Sequence, residues 1–278
     1  MDERQDVMAQ LTTRELCLAY DRRTVCHDVT VGIPEGGFTA VIGPNGCGKS
    51  TLLKALVRIL RPVSGEVLLD GEPIRSYPGK RLARKLALLP QRPVAPESIR
   101  VADLVGRGRY PYHSLLRQWS TSDQEAVAEA IAQTAVGELA DRPVAELSGG
   151  QQQRVWVAMV LAQQTSTLLL DEPTTFLDIA HQYELLELFG RLRRDGRTVV
   201  AVLHDLNQAA RFADHLVLMR DGRIVTQGTP EQVLTPEQVR DTFDLRAQVV
   251  ADPETGSPMV VPCAGQDAVV TGHGSGHR

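Results

Sequence analysis

A glycine-rich stretch followed by a lysine and two hydroxyl side chains is the part of this 278-residue sequence best suited to chemistry. It fits the pattern G-x-x-x-x-G-K-S/T, in which backbone N–H groups surround phosphate oxygens and the lysine reaches the β- and γ-phosphates. The first hydroxyl of the pattern, Ser50, is expected to bind Mg²⁺. We therefore predict a nucleoside triphosphate site made by Gly43, Pro44, Asn45, Gly46, Cys47, Gly48, Lys49, Ser50 and Thr51.

An acidic pair at the end of an apolar run is the second candidate element. Asp171 and Glu172 directly follow the run at 168–170, and ligands bind at the carboxyl ends of strands in open α/β sheets. We expect Asp171 to hold the Mg²⁺ through water, and Glu172 to accept a proton from the attacking water. Such a pair is a weak indication alone, but beside a phosphate loop it favours triphosphate hydrolysis.

The stretch Leu-Ser-Gly-Gly-Gln at 147–151 is a second glycine-rich helix start of the kind that binds anions. One physical explanation for two phosphate cradles is that Ser148 and Gly150 serve the nucleotide of another copy. This arrangement gives two composite sites across a symmetric dimer. A plain helix start with flexible glycines is the alternative, which the five-residue match and the following Gln-Gln-Arg disfavour.

Taken in order, the phosphate loop, Leu-Ser-Gly-Gly-Gln and the Leu-Leu-Leu-Asp-Glu-Pro stretch at 168–173 resemble the ATPases of ATP-binding cassette (ABC) transporters. The resemblance covers about residues 11–240. It implies ATP and Mg²⁺ as cofactors, and ATP hydrolysis coupled to transmembrane transport. It also implies an α/β fold: a P-loop NTPase core with a mostly parallel sheet, an antiparallel β subdomain and an inserted α-helical subdomain at about 92–164.

The resemblance gives roles to single residues as well. It implies that Tyr20 stacks on adenine, that Gln91 senses Mg²⁺ and the attacking water, and that His204 contacts the γ-phosphate. Asp178 is implied to line the dimer interface, and Gln91 and His204 join Glu172 in the catalytic set. Each has an ordinary structural explanation when taken singly. The nucleotide-binding set implied at the second cradle is Ser148, Gly149, Gly150 and Gln151.

Apolar runs and their spacing predict the elements that place these residues. Predicted strands at 16–20, 29–33, 38–42 and 66–69 are interrupted by one helix that begins near Lys49, and a further strand follows at 86–89. Later strands at 168–170 and 198–203 alternate with helices at 179–194 and 206–212, as in a doubly wound core. We assign 11–240 to the ATPase domain and 241–278 to a C-terminal extension with a disordered tail.

Composition excludes several functional classes. With 30 basic and 34 acidic side chains the net charge is −4, which gives no positive footprint for nucleic acid. No apolar stretch approaches the roughly 20 residues that span a bilayer, and the start lacks a secretory signal pattern. Four scattered cysteines suit a reducing compartment, and Cys47 predicts sensitivity of the site to thiol reagents. We expect a peripheral protein at the cytoplasmic face of the cell membrane.

The predicted partners follow from the absence of a span. ATP is expected to close a homodimer and hydrolysis to open it, and this motion must act on separate integral-membrane permease subunits. The resemblance implies that a short permease helix docks beside the helical insertion after Gln91. It also suggests a separate extracytoplasmic substrate-binding protein.

Two stretches bear on the cargo. Residues 105–114, which include Gly-Arg-Gly-Arg, and residues 252–258 resemble ATPases of iron-siderophore, haem and cobalamin importers. The first stretch is alternatively a solvated, basic helix end. Another cargo, such as an amino acid, a phosphate or a drug, stays open, as does a non-transport ABC ATPase acting on nucleic acid. The chain has no sustained heptads and no second phosphate loop, which argues against a non-transport ABC ATPase.

Overall fold

The computed structural model describes residues 9–113 and 119–264. Ser114 and the predicted disordered tail lie outside the described residues. The strands are, in chain order, β1 (Ala9–Tyr20), β2 (Arg23–Pro34), β3 (Phe38–Ile42), β4 (Ser64–Leu69), β5 (Glu72–Pro73), β6 (Leu86–Leu89), β7 (Thr167–Asp171), β8 (Thr198–Val202), β9 (His215–Arg220), β10 (Arg223–Gly228), β11 (Ala247–Ala251) and β12 (Pro258–Pro262). The helices are α1 (Lys49–Leu56), α2 (Gly79–Ala83), α3 (Val101–Gly106), α4 (Thr121–Gln133), α5 (Gly149–Ala162), α6 (Ile179–Arg194), α7 (Leu206–Phe212), α8 (Pro230–Val233) and α9 (Pro236–Phe243).

A six-stranded sheet with the order β10-β9-β3-β8-β7-β6 forms the centre of the fold. All its neighbouring pairs are parallel except β10 with β9. Along β7, Leu168 and Leu170 point into one hydrophobic core while Leu169 points into another. The sheet is therefore buried on both faces, which is why its strands read as continuous apolar runs. The predicted P-loop NTPase fold class is confirmed.

A second sheet, with the order β2-β1-β4-β5, forms the predicted antiparallel β subdomain and packs with α1. Strands β1 and β2 are longer than the predicted 16–20 and 29–33. Their pairing continues across bulges, one of which lies between Thr13 and Leu16, where Glu15 has a φ of +46°. A bulge breaks the strict alternation of apolar and polar residues. The first half of β1 therefore lacks the periodic pattern that predicts a strand.

The inserted subdomain contains α3, α4 and α5, which contact one another. Short 3-10 helices at Arg107–Tyr112 and Val144–Glu146 interrupt it, at Pro111 and after Pro143. The interpretation of Gly-Arg-Gly-Arg as a solvated helix end is wrong for Arg109, because its side chain is buried against Asp123. Of the helices within the described residues, none has the length and apolar character needed to span a membrane.

The C-terminal extension contains a two-stranded antiparallel hairpin, β11–β12, which the sequence did not predict. The segment 252–258, which resembles ATPases of iron-siderophore, haem and cobalamin importers, makes the turn between the two strands and ends at Pro258, the first residue of β12. Val260 of β12 belongs to the main hydrophobic core, and β12 contacts helix α7. This hairpin therefore packs on the ATPase core.

Candidate active site

The phosphate loop lies between β3 and α1, as predicted. Its glycines at 43, 46 and 48 have φ of +150°, +78° and +105°, a region that L side chains avoid. A Cβ at Gly43 would lie 2.1 Å from the carbonyl oxygen of Met219, so glycine is required there. Lys49 is buried, and its Nζ donates to the carbonyl oxygens of Gly43 at 2.8 Å and Pro44 at 2.9 Å. The loop is thus preformed around its lysine.

Strand order explains how the distant site residues meet. Strand β3 ends at the phosphate loop, and its neighbours in the sheet are successively β8, β7 and β6. His204 follows β8, Glu172 follows β7 and Gln91 follows β6. Because the carboxyl ends of parallel strands share one edge of the sheet, these three side chains line the same edge as the loop.

A cavity of about 370 Å³ confirms that the loop and the three catalytic candidates converge. Val25, which the sequence does not predict as a site residue, joins them. It is an apolar residue inside β2, and its Cγ1 would lie 3.6 Å from a Cβ placed at Gly48. The cavity lining comprises Val25, Asn45, Gly46, Gly48, Lys49, Ser50, Thr51, Gln91, Glu172 and His204.

Glu172 is held as a carboxylate. Its Oε1 lies 2.9 Å from Nε2 of His204, and its φ is +54°. Burial raises the pKa of Glu172, but hydrogen bonds from His204 and Gln91 outweigh burial and leave that pKa below its ordinary value. An ionised carboxylate beside the phosphate loop is able to accept a proton from water.

Of the three side chains predicted to bind Mg²⁺, namely Ser50, Gln91 and Asp171, two are already paired with each other. Ser50 Oγ donates to Asp171 Oδ1 at 2.8 Å. Burial raises the pKa of Asp171, against the hydrogen bond from Ser50. A hydroxyl and a carboxylate oxygen are the hard donors that Mg²⁺ prefers, so these two residues fit the ion.

Tyr20 lies at the end of β1 and does not line the cavity itself. Its side chain is 42% exposed, and Nζ of Lys54 lies 5.8 Å from the ring centroid. Lys54 also donates to the Tyr20 hydroxyl at 3.5 Å. The ring is therefore accessible, as stacking on a base requires, and its role in adenine binding stays a prediction.

The second cradle does not reach the cavity of its own chain. Ser148 is exposed and caps α5, with its Oγ accepting from the Gln151 N–H at 3.3 Å. A Cβ at Gly150 would lie 3.1 Å from Leu177, so the loop before α6 packs against this helix start. Asp178 caps α6 and is also exposed. Among the described residues, Ser148 and Asp178 are therefore exposed and do not line the nucleotide cavity.

The expected thiol sensitivity of Cys47 is not supported. The Cys47 side chain is 4% exposed, and burial raises the pKa of its thiol, with Lys49 only partly opposing that effect. The thiolate is the nucleophilic form. A buried thiol with a raised pKa is therefore a poor target.

This burial gives a direct prediction. N-ethylmaleimide at neutral pH should modify Cys47 at least about tenfold more slowly than Cys17 and Cys263, which are half-buried. Peptide mass spectrometry over a time course measures the three rates. Equal rates would show that the loop opens readily in solution.

Comparison with known proteins identifies this arrangement. The sequence profile described as ABC transporter matches residues 26–175, more than half of the chain. The chain belongs to the ABC transporter family. The matched segment includes the phosphate loop, Gln91, the second cradle and Glu172, and it ends before His204.

Full-length relatives extend the match. The ferric enterobactin transport ATP-binding protein FepC of Escherichia coli (strain K12) is 52% identical over 92% of this chain and 94% of its own length. The petrobactin import ATP-binding protein FpuD of Bacillus anthracis is 47% identical over 96% of this chain and 95% of its own. An inward-facing metal-chelate type ABC transporter structure superimposes with a TM-score of 0.78, at 28% identity over 92% of this chain and 98% of that one.

Proposed function

We propose that this ABC transporter chain is the ATP-hydrolysing subunit of an importer for a ferric siderophore, acting as a dimer at the cytoplasmic face of the membrane. One observation carries the proposal: the chain is 52% identical, over 92% of its length, to a ferric enterobactin transport ATP-binding protein. An iron chelate is favoured over an amino acid, a phosphate or a drug because this relative is named for ferric enterobactin transport and the similar solved structure is a metal-chelate type transporter.

The site supports hydrolysis of ATP. Lys49 and the loop N–H groups bind the phosphates, and Tyr20 stacks on adenine. Gln91 and His204 hold the Glu172 carboxylate at the cavity, where it accepts the proton of the attacking water. Ser50 and Asp171 would hold Mg²⁺, which supplies neutralisation of phosphate charge when it is bound.

A second copy completes each site. Ser148 is exposed and Gly150 is half-buried, and neither lines the cavity of its own chain, which suits donation by the Ser148 hydroxyl and the Gly150 amide to the γ-phosphate bound by a partner. Charge-assisted hydrogen bonds contribute about 1.5 to 3 kcal/mol each. Two sites would then supply the roughly 5.5 kcal/mol that shifts the ratio of closed to open dimer from 1:99 to 99:1.

The motion acts on separate permease subunits. An apolar cavity of about 730 Å³ in the inserted subdomain supports the docking of a permease helix. Tyr110 and Trp119 at its edge are 60% and 46% exposed, and large exposed aromatics mark interaction surfaces. A separate extracytoplasmic protein would deliver the chelate.

Uptake of radioactive iron tests the cargo. A strain lacking this chain should lose uptake of a ferric catecholate siderophore. The wild-type chain and Glu187→Gln, an exposed carboxylate variant on α6, should restore it, and Glu172→Gln should not. Unchanged uptake of ferric catecholate and ferric hydroxamate siderophores in the deletion strain, with loss of haem or cobalamin uptake instead, would refute the proposed cargo while leaving the ATPase assignment intact.

A further inference from the structure

Helix α7 begins two residues after His204, and it contacts strand β12 of the C-terminal hairpin β11–β12. His204 has a role in the proposed catalytic site, but that site gives no function to the hairpin. The stretch at 252–258 that forms its turn is also unused by the site. The contacts between this hairpin and α7 connect the hairpin to His204.

Asn207, in the first turn of α7, makes the closest connection. Its Nδ2 donates to the carbonyl oxygen of Val260 at 3.3 Å, and its Oδ1 accepts from the Val260 N–H at 2.7 Å. Both polar atoms of one side chain are thus bound to a single backbone residue of β12. Because Val260 is buried in the main core, this pair of hydrogen bonds connects the start of α7 to a strand that is anchored in that core.

Arg211 makes a second connection near the other end of the helix. Its guanidinium forms an ion pair with Glu254, in the turn of the hairpin. The guanidinium also lies 5.7 Å from the ring centroid of Tyr183 on α6. The hairpin therefore holds both ends of α7.

The start of α7 in turn sets the direction of the His204 loop. Asp205, the residue after His204, caps the helix by accepting from the N–H groups of Asn207 at 2.8 Å and Gln208 at 3.0 Å. On the α6 side, Gln208 Nε2 donates to Gln182 Oε1 at 2.7 Å. His204 itself is 44% exposed at its side chain. Packing around the ring is therefore a weak constraint, and the backbone that leads into α7 orients the ring together with the contact to Glu172.

We propose that Asn207 is a positioning residue, which uses the C-terminal hairpin to hold His204 against Glu172. This inference rests on the proposed ATPase function. It assigns the extension beyond residue 240 a part in catalysis. The hairpin acts on the reaction through its contacts with α7.

The first test is kinetic. In the purified full chain, Asn207→Ala should lower kcat for ATP three- to tenfold and change KM less than twofold, because the phosphate loop is untouched. Val261→Thr is the matched control, since Val261 lies beside Val260 on β12 but is 41% exposed. It should keep the wild-type kcat. Assays well below the melting temperature of every variant keep loss of folding out of the comparison.

The second test shows whether Asn207 acts through His204. In a His204→Gln background, Asn207→Ala should cause no further loss, since residues that act as one unit are not additive. The imidazole nitrogen signals of His204, assigned in a ¹⁵N-histidine spectrum by their absence from His204→Gln, should shift in Asn207→Ala and not in Val261→Thr. This readout does not depend on turnover.

The outcomes separate the two proposals. Unmoved His204 signals, an unchanged kcat, or a loss that adds to that of His204→Gln would each overturn the positioning role while leaving the ATPase function standing. A wild-type chain that does not hydrolyse ATP would defeat the proposed function, and the positioning role with it.

Discussion

Replacement of Glu172 by glutamine is expected to lower ATP turnover by at least about a hundredfold, which is the usual contribution of a positioned general base. The amide keeps the shape and the contact with His204, but it cannot take a proton from water. Binding of ATP should persist, since Lys49 and the loop glycines are unchanged. Steady-state hydrolysis and equilibrium binding of ATP, measured on the same preparation, check both halves of the expectation.

Glu187→Gln is the matched control, because Glu187 is an exposed carboxylate on α6. It should hydrolyse ATP at the wild-type rate. If Glu172→Gln does so as well, Glu172 is not the base.

The same variant should also reveal the dimer. With hydrolysis blocked, ATP should hold two copies together through Lys49 of one protomer and Ser148 of its partner, and ADP should not. Light scattering of Glu172→Gln with ATP or ADP measures this difference. A species that stays monomeric with ATP, even with the permease present, would refute the composite site.

Loss of Asp123 is expected to destabilise the inserted subdomain strongly. Nε of Arg109 lies 2.8 Å from Asp123 Oδ1, and both side chains are about 95% buried or more. Asp123→Ala leaves the guanidinium buried and without its carboxylate, which typically costs about 3 to 5 kcal/mol. Urea denaturation measures the change in the free energy of unfolding.

Asp103→Ala is the comparison, since Asp103 is an exposed carboxylate on α3. It should change the free energy of unfolding by less than about 0.5 kcal/mol. Equal effects of the two substitutions would mean that Arg109 finds other partners.

The pair of Arg109 and Asp123 also predicts that the free energy of unfolding depends on pH in the acid range. Burial raises the pKa of Asp123, but hydrogen bonds from Ser120 and Arg109 outweigh it and lower the pKa from 3.8 to about 2. A carboxyl group whose pKa is lower in the folded state stabilises the protein at pH values above its unfolded-state pKa. This stabilisation is lost as the pH falls toward 2. The stability difference between wild type and Asp123→Ala should therefore shrink by about 2 kcal/mol between pH 5 and pH 2.

The fold was predictable to the extent that it depends on buried apolar runs. Strand β3, strand β6 and helix α6 have the predicted bounds, because central strands and amphipathic helices carry clear patterns. The first half of β1 was missed because a bulge at Glu15 interrupts its alternation. The hairpin β11–β12 was missed because its residues are mostly half-buried or exposed, which leaves little periodicity.

The site was predictable where its chemistry is local. A phosphate loop needs consecutive glycines, a lysine and a hydroxyl, so its residues are adjacent in the chain and readable from it. Gln91 and His204 came from resemblance to a family, since a single glutamine or histidine carries no pattern of its own. Val25 had no signal at all, because an apolar residue in a strand is ordinary.

By itself, the sequence determined the phosphate loop, the acidic pair and the elements on which they lie, since these depend on neighbours within a few residues. The tertiary structure decided that Gln91, Glu172 and His204 share one edge, through the strand order β3-β8-β7-β6. It also decided that Arg109 is buried and that Asn207 holds the hairpin. These contacts join residues 14 to more than 100 positions apart, and only the packing of whole elements, which no local pattern encodes, brings such residues together.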